Sequence, residues 1–234
     1  EVSVLAFTDG ETVVPMVSSM DHKRALDGDK GPNTGGMGTV APNPFYTDDI
    51  AKECMERIFI PTIRAMEQEG RLFRGCLYFG LMLTKDGPKV IEYNSRFGDP
   101  ETQAVLQLMD ADLLELMTAV EEGRLKDVDV KFKDGAVCYI VLASGGYPES
   151  YETGKRIEFG APEDFDGITI YHSGTKREGD AFVTSGGRVL GVSALRGTLK
   201  EAVDAAYSAA GKICFEGMHY RRDIGRSALG GSAE

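Results

Sequence analysis

The 234 residues carry 26 Lys and Arg against 37 Asp and Glu, a formal net charge of -11, with 42% hydrophobic and 27% charged residues. That balance fits a globular protein of one large domain or two modest ones. It argues against a general binder of nucleic acid or of anionic membrane surfaces, which reward clustered cations. No apolar run approaches the ~20 residues of a spanning helix, and no basic-then-apolar leader opens the chain.

Taken in order, VSVLAF (2–7), the turn Asp9-Gly10 and TVVPMVSS (12–19) predict an antiparallel hairpin, with Pro15 confining the second strand to an edge or a bulge. Residues 21 to 44, DHKRALDGDKGPNTGGMGTVAPNP, read as one long polar loop rich in Gly and Pro, and a loop of that length in a compact domain tends to be functional. A helix is predicted from Thr47, which caps it, with Asp48 and Asp49 in its first turn, Ile50, Cys54 and Ile58 on one face, and a kink or interruption at Pro61. GCLYFGLMLT (75–84), Asp86-Gly87 and PKVIEYN (88–94) form a second predicted hairpin. Residues 100–122 read as one or two helices ended by Gly123 in a left-handed cap.

Beyond residue 125 the pattern turns to short strands: VDVKFKDG, AVCYIVLAS, ITIYHS, AFVTS and RVLGVSAL. A helix with a Thr198–Glu201 capping box follows, then a closing strand at GMHYRRD and a Gly-Ser tail. These elements place the expected domains at 1–125 and 126–234, in the α+β class. The four cysteines, Cys54, Cys76, Cys138 and Cys214, are widely spaced and lack a CxxC pair, so free thiols in a reducing cytosol are expected.

The stretch IEYNSRFGDPE (91–101) is unusual for a strand. Strand side chains alternate between faces, so Glu92, Asn94 and Arg96 share one face and Ile91, Tyr93 and Ser95 the other. Two hard oxygens two residues apart suit Mg²⁺, which keeps waters and is completed by substrate phosphates, while a cation two residues on can meet a phosphoryl group. A solvent-facing strand with a chance charge pattern is the alternative reading. The continuation into Asp99 and Glu101 before a helix favours a site. GPNTGGMG offers backbone N–H groups suited to an anion, near His22, Lys23, Arg24 and Lys30, with a flexible surface loop as its alternative. GMGTVA fits a dinucleotide pattern but runs into APNPF rather than a helix, and no GxxxxGK[ST] loop occurs. His172 and His219 are read as structural, and no catalytic triad or zinc spacing is present.

DHKR with DGDKGPNTGGMG, then GCLYFGLML, IEYNSRFGDPETQ, ASGGYP, SGGRVLGVSAL and YRRDIG together resemble the glycinamide ribonucleotide synthetase family (phosphoribosylamine–glycine ligases) of the ATP-grasp superfamily, from residue 1 to about 229. The resemblance implies the carboxy-terminal half of an ATP-grasp core, an antiparallel sheet with helices, followed by a smaller β-rich α+β domain. It implies ATP with Mg²⁺ (or Mn²⁺), the substrates glycine and 5-phosphoribosylamine, and a cytoplasmic enzyme of purine synthesis working through a glycyl phosphate. Glu92 and Asn94 match the family's metal ligands, and Arg96 the cation at the transferring phosphoryl group. His22 and Lys23 are expected at phosphate. Asn33, Thr34, Gly35 and Gly36 would line the pocket for glycine or phosphoribosylamine. Asp99 and Glu101 would orient the amine or hold the loop. Leu81 or Met82 would pack beneath adenine, and Arg188 would reach the substrate site from the second domain, a surface arginine being the alternative.

The strand CLYFGLM lacks the carboxylate that many ATP-grasp enzymes place before this motif, which leaves a second metal without an assigned ligand. The family's amino-terminal domain and glycine-rich lid have no counterpart here, so the expected partner is that missing half, and no turnover is expected from this chain alone. The competing readings are a non-catalytic module of the same fold and another purine-pathway ATP-grasp ligase.

Overall fold

The computed structural model describes residues 1–230; the expected Gly-Ser tail lies outside them from Gly231 onward. The chain forms two compact units, residues 1–20 with 42–134, and residues 21–41 with 135–234. This partition differs from a linear boundary near 125. Residues Lys131–Phe132 pair with Met109–Asp110 and stay with the first unit, while Gly38–Ala41 pairs with Ala136–Ala143 and draws the 21–41 excursion into the second.

The first unit has an antiparallel sheet in the order Val13–Pro15, Val2–Thr8, Gly75–Thr84, Gly87–Asn94. Pro15 sits on the edge strand, where a missing N–H costs no ladder bond. Val2, Val4, Ala6, Leu77, Phe79 and Leu81 turn one face of the sheet onto Cys54, Ile58, Phe59 and Ile63. Those four lie along a continuous helical run, Asp48–Cys54, Met55–Phe59 and Ile60–Gln68, begun by Thr47 accepting from the Ile50 N–H. Pro61 neither breaks nor ends that run. It has no N–H to donate, and the turn before it widens so that Ile60 N–H reaches Met55 O five residues back.

The predicted 100–122 helix is two helices, Glu101–Leu108 and Leu113–Glu122. The second is capped by Asp112, which accepts from Leu114 and Glu115 N–H, and is closed by Gly123 at φ 71°. Of its apolar positions Leu116 is buried but Leu114 is 76% exposed, so the helix packs by a narrower stripe than its sequence suggests.

In the second unit the strands run Ile168–His172, Arg188–Arg196, Ala136–Ala143, Gly38–Ala41, with helix Leu199–Ala210 packed on the two central ones. The helix carries the predicted Thr198–Glu201 box and buries Ala202, Ala206, Ala209 and Ala210, whose small side chains permit close approach. Gly191 is required by the core: a Cβ there would stand 1.9 Å from the Tyr139 hydroxyl oxygen. The 21–44 loop is more ordered than expected. Its Asp27-Gly28-Asp29 turn closes a hairpin of Arg24–Leu26 with Lys30–Asn33, and Asp29 adopts φ 53°. GMHYRRD is not a strand; His219 makes one bridge to Ala143, and the arginine beyond it bonds to other segments. Cys54, Cys76 and Cys138 are buried, Cys214 is exposed, and all four are free. No helix among the described residues is long and apolar enough to cross a membrane.

Candidate active site

The strand Gly87–Asn94 is anchored by one face. Tyr93 lies opposite Phe79 with ring centroids 5.6 Å apart, and its hydroxyl is 3.1 Å from Thr62 Oγ1 on the helix. The other face therefore carries Glu92 opposite Gly80 and Asn94 opposite Tyr78, with Asn94 Nδ2 donating to Glu92 Oε1 at 3.2 Å. A register step leaves Ile91 as a bulge residue, 49% exposed, the kind of device that re-aims side chains next to a site. Gly80 makes the room: a Cβ there would lie 2.9 Å from Glu92 Cγ. Gly80→Ala is therefore expected to displace Glu92 and lower a Glu92-dependent rate about tenfold, with a change of about 1 kcal/mol or less in unfolding free energy. Paired urea-melt and rate measurements check this; loss of both together would mean that Gly80 serves folding alone.

The strand ends at Asn94, so the alternation that placed Arg96 beside Glu92 and Asn94 does not extend to it. Arg96 lies in the bend beyond, exposed, with a guanidinium N–H donating to Phe97 O at 2.8 Å. Below this loop Glu101 is 3% exposed and accepts from Ser3 Oγ at 3.2 Å and from Tyr78 Oη at 3.0 Å. Its other oxygen lies 2.5 Å from where a Gly98 Cβ would be, so Gly98 and Glu101 fit as a pair and Glu101 braces the loop. Asp99 accepts from Gln103 Nε2 at 3.0 Å across the first turn of the next helix. Leu81 belongs to the core, whereas Met82 is 41% exposed and has surface to offer a ligand.

Glu92 and Asn94 supply a carboxylate and an amide with no soft donor. That chemistry fits Mg²⁺ or Mn²⁺ completed by water and phosphate oxygens, and is unsuited to zinc. Among the described residues no group of three or more His, Cys, Asp or Glu could hold a metal by itself.

In the second unit the glycine-rich segment is fastened from within. Thr34 N–H donates to Lys23 O, Gly35 N–H to the Tyr147 hydroxyl, Gly36 N–H to Thr34 Oγ1 and Met37 N–H to His22 O, all between 2.8 and 3.0 Å. Four successive N–H groups are thus committed to the protein itself, and the expected open cradle for an anion is not what this loop presents. Arg188 donates to the Gly35 carbonyl at 2.7 Å. Asn33 is exposed on the hairpin.

His22 is buried. Gly225 N–H donates to its Nε2 at 3.3 Å, which makes Nδ1 the donor to Gly38 O at 3.2 Å. Burial, reinforced by the Arg221 charge, pushes its pKa down to about 4. A neutral ring with both nitrogens bonded brings no positive charge to a phosphate; it ties the loop to residue 225 instead. Because the unfolded ring takes up its proton at a higher pH than the folded one, stability is full above pH 6.5. It falls by about 3 kcal/mol as pH drops toward 4. A His22 ring signal that stays unprotonated at pH 5.5 by NMR is the expected result; titration near 6.5 would contradict the burial.

Sequence reading missed Arg221. It is 2% exposed, grips both Asp223 oxygens at 2.7 and 2.8 Å, and donates to Asp29 Oδ1 at 2.7 Å and to Arg24 O at 3.2 Å. Asp223 also accepts from Gly28 N–H, and Asp27 from Arg222 N–H. Burial raises the Asp223 pKa, but Arg221 and the Gly28 N–H outweigh it and hold the carboxyl at about 2. The available signal was charge complementarity between DGD and YRRD, stretches too far apart in the chain to pair by inspection.

The phosphoribosylglycinamide synthetase ATP-grasp (A) domain matches residues 1–102, and the C domain of the same synthetase matches residues 136–227. The chain belongs to the phosphoribosylglycinamide synthetase family. A phosphoribosylamine–glycine ligase of Chlorobaculum tepidum is 48% identical over 230 residues, covering 98% of this chain and 54% of that protein. One from Halalkalibacterium halodurans is 49% identical over 229 residues, covering 98% and 53%. The crystal structure of the Thermotoga maritima ligase aligns with a TM-score of 0.85 at 37% identity, over 95% of this chain and 55% of that one. The chain thus spans about half the length of these relatives. The biotin carboxylase domain of Hydrogenobacter thermophilus 2-oxoglutarate carboxylase, 14% identical with a TM-score of 0.62 over 93% of this chain and 46% of that one, shares the fold alone.

Proposed function

We propose that this chain carries the metal- and phosphoryl-handling face of a phosphoribosylamine–glycine ligase, an enzyme of purine biosynthesis acting in the cytoplasm. The observation behind this reading is the shared face of Glu92 and Asn94, cleared by Gly80 and followed by Arg96 on a loop that Glu101 braces. Mg²⁺ held by Glu92 and Asn94 would supply charge neutralisation for the ATP phosphates. In the first step a glycine carboxylate oxygen bonds to the γ-phosphorus as the bond to the bridging oxygen breaks, and ADP leaves. In the second, the phosphoribosylamine nitrogen bonds to the acyl carbon, the carbon–oxygen bond to phosphate breaks, and the nitrogen gives up a proton.

Arg96 offers its exposed guanidinium to the phosphoryl oxygens, whose charge grows in the transition state. Asp99, exposed just before the next helix, is the carboxylate assigned to orient the amine. Met82 offers an apolar surface to the base. In the second unit Arg188 and Lys23 are assigned to the anionic ends of the substrates and the exposed Asn33 to a substrate contact, while Thr34, Gly35 and Gly36, their N–H groups committed to the protein, shape the loop that carries it. His22 and Glu101 serve by holding those loops.

The test joins this chain behind the amino-terminal portion of the Chlorobaculum tepidum relative and follows ADP release. The expected result is release that needs both glycine and phosphoribosylamine, with none from the chain alone. Release indifferent to either substrate would point to a different ATP-grasp ligase, and silence in the joined protein to a non-catalytic module.

A further inference from the structure

A second ligand site is written on the far side of helix Leu199–Ala210. A cleft of about 590 Å³ is lined by Asp204, Tyr207, Ser208, Tyr220, Arg222 and Arg226, with Val203 and Leu229 as its apolar walls. That volume lies in the range of small-molecule sites, and the lining combines aromatic and apolar surface with a few converging polar groups.

The cations are the telling feature. At and beside the cleft, Lys200 is paired with Asp204, and Arg221 with Asp29 and Asp223. Among the described residues neither the Arg222 nor the Arg226 guanidinium forms an ion pair, and the carboxylate that shares their cleft, Asp204, is held by Lys200. Arg222 instead lies 5.5 Å over the Tyr220 ring, and both arginines are exposed at the cleft. Guanidinium forks match phosphate oxygens in pairs, and two uncommitted forks at one cleft favour a dianion.

The rings are held for a planar partner. The Tyr207 hydroxyl donates to Arg221 O at 2.9 Å and accepts from Ile224 N–H at 2.8 Å, so the ring is tethered at its hydroxyl. Tyr220 lies 6.4 Å from it, centroid to centroid, at 37°. Tilted aromatic surfaces beside two exposed guanidiniums suit a flat ring bearing a phosphomonoester, and the Ser208 hydroxyl adds a partner for a sugar.

We propose that this cleft binds a nucleoside 5′-monophosphate, separately from the face formed by Glu92 and Asn94. The proposal does not rest on the ligase reading, because binding is measured on the 234-residue chain without turnover.

Calorimetric titrations with AMP, adenosine, ribose 5-phosphate and inorganic phosphate provide the test. Saturable 1:1 binding of AMP is expected, with each of the other three about tenfold weaker or more. Arg222→Gln with Arg226→Gln should weaken AMP about tenfold and leave adenosine unchanged, while Tyr220→Leu should weaken both. Asn94→Ala should not alter AMP affinity. Absence of saturable AMP binding would overturn the proposal. So would full affinity in the double arginine variant, or loss of affinity in Asn94→Ala, which would move the site to the first unit. Ribose 5-phosphate binding as tightly as AMP would overturn the nucleoside assignment and leave a sugar-phosphate site.

Discussion

Arg221→Met is expected to lower the unfolding free energy of the second unit by about 3 kcal/mol, the scale of breaking a buried ion pair by removing one partner. The loss has three sources. Asp223 is left without its bidentate cation, the Arg24 carbonyl loses a donor, and the Asp27-Gly28-Asp29 turn loses the charge that holds it. Asp29 is well exposed and is resolvated at little cost, so most of the effect belongs to Asp223, which is only 17% exposed. Methionine keeps much of the side-chain volume, so the change reads charge and hydrogen bonding rather than a cavity. Urea unfolding of the wild type and variant gives the difference. Hydrogen exchange adds a local signature, in which amides of residues 24–37 should exchange faster while those of Val2–Thr8 do not change. A variant as stable as the wild type, with protection of residues 24–37 intact, would show that the network is ornamental.

How much of this was legible beforehand depends on how local the determinant was. Thr47, Gly123 and the Thr198–Glu201 box act within a turn of their own residue, and each element they bound was found where its sequence placed it. The hairpin of Gly75–Thr84 with Gly87–Asn94 is likewise local, and so Glu92 and Asn94 could be put on one face before any coordinates. Arg96 failed the same reasoning because the strand stops two residues short of it, a boundary that alternation does not report. The 21–44 segment was misread as a bare loop because its partners are remote. Gly38–Ala41 finds its ladder about a hundred residues on, at Ala136–Ala143, and the N–H groups of Thr34 to Met37 are taken up by residues that only the folded chain brings near. His22 looked like a phosphate contact beside a lysine and an arginine; burial against Gly38 and Gly225 made it a neutral strut.

The other large effect concerns Glu92 and Asn94. Glu92→Gln keeps the size of the side chain and removes one negative charge from the pair. Asn94→Ala removes the amide and leaves the strand paired through its backbone opposite Tyr78. Neither change touches the core, because the apolar contacts of this strand lie on the Tyr93 face, and urea midpoints should stay close to wild type. If the two oxygens hold the cation that steadies the transferring phosphoryl group, removing either takes away stabilisation that is needed chiefly in the transition state. The expected loss is about 10²–10³ in turnover. Glu92→Gln should in addition need a higher Mg²⁺ concentration for half-maximal rate, since a neutral amide is a poorer ligand than a carboxylate.

The most direct measurement is therefore the Mg²⁺ dependence of glycine- and phosphoribosylamine-dependent ADP release by the joined protein, for wild type, Glu92→Gln and Asn94→Ala. Folded variants with rates down about 10²–10³ are expected, with the Mg²⁺ requirement shifted upward for Glu92→Gln. Wild-type turnover by the folded variants at the same Mg²⁺ concentration would contradict the metal role of Glu92 and Asn94.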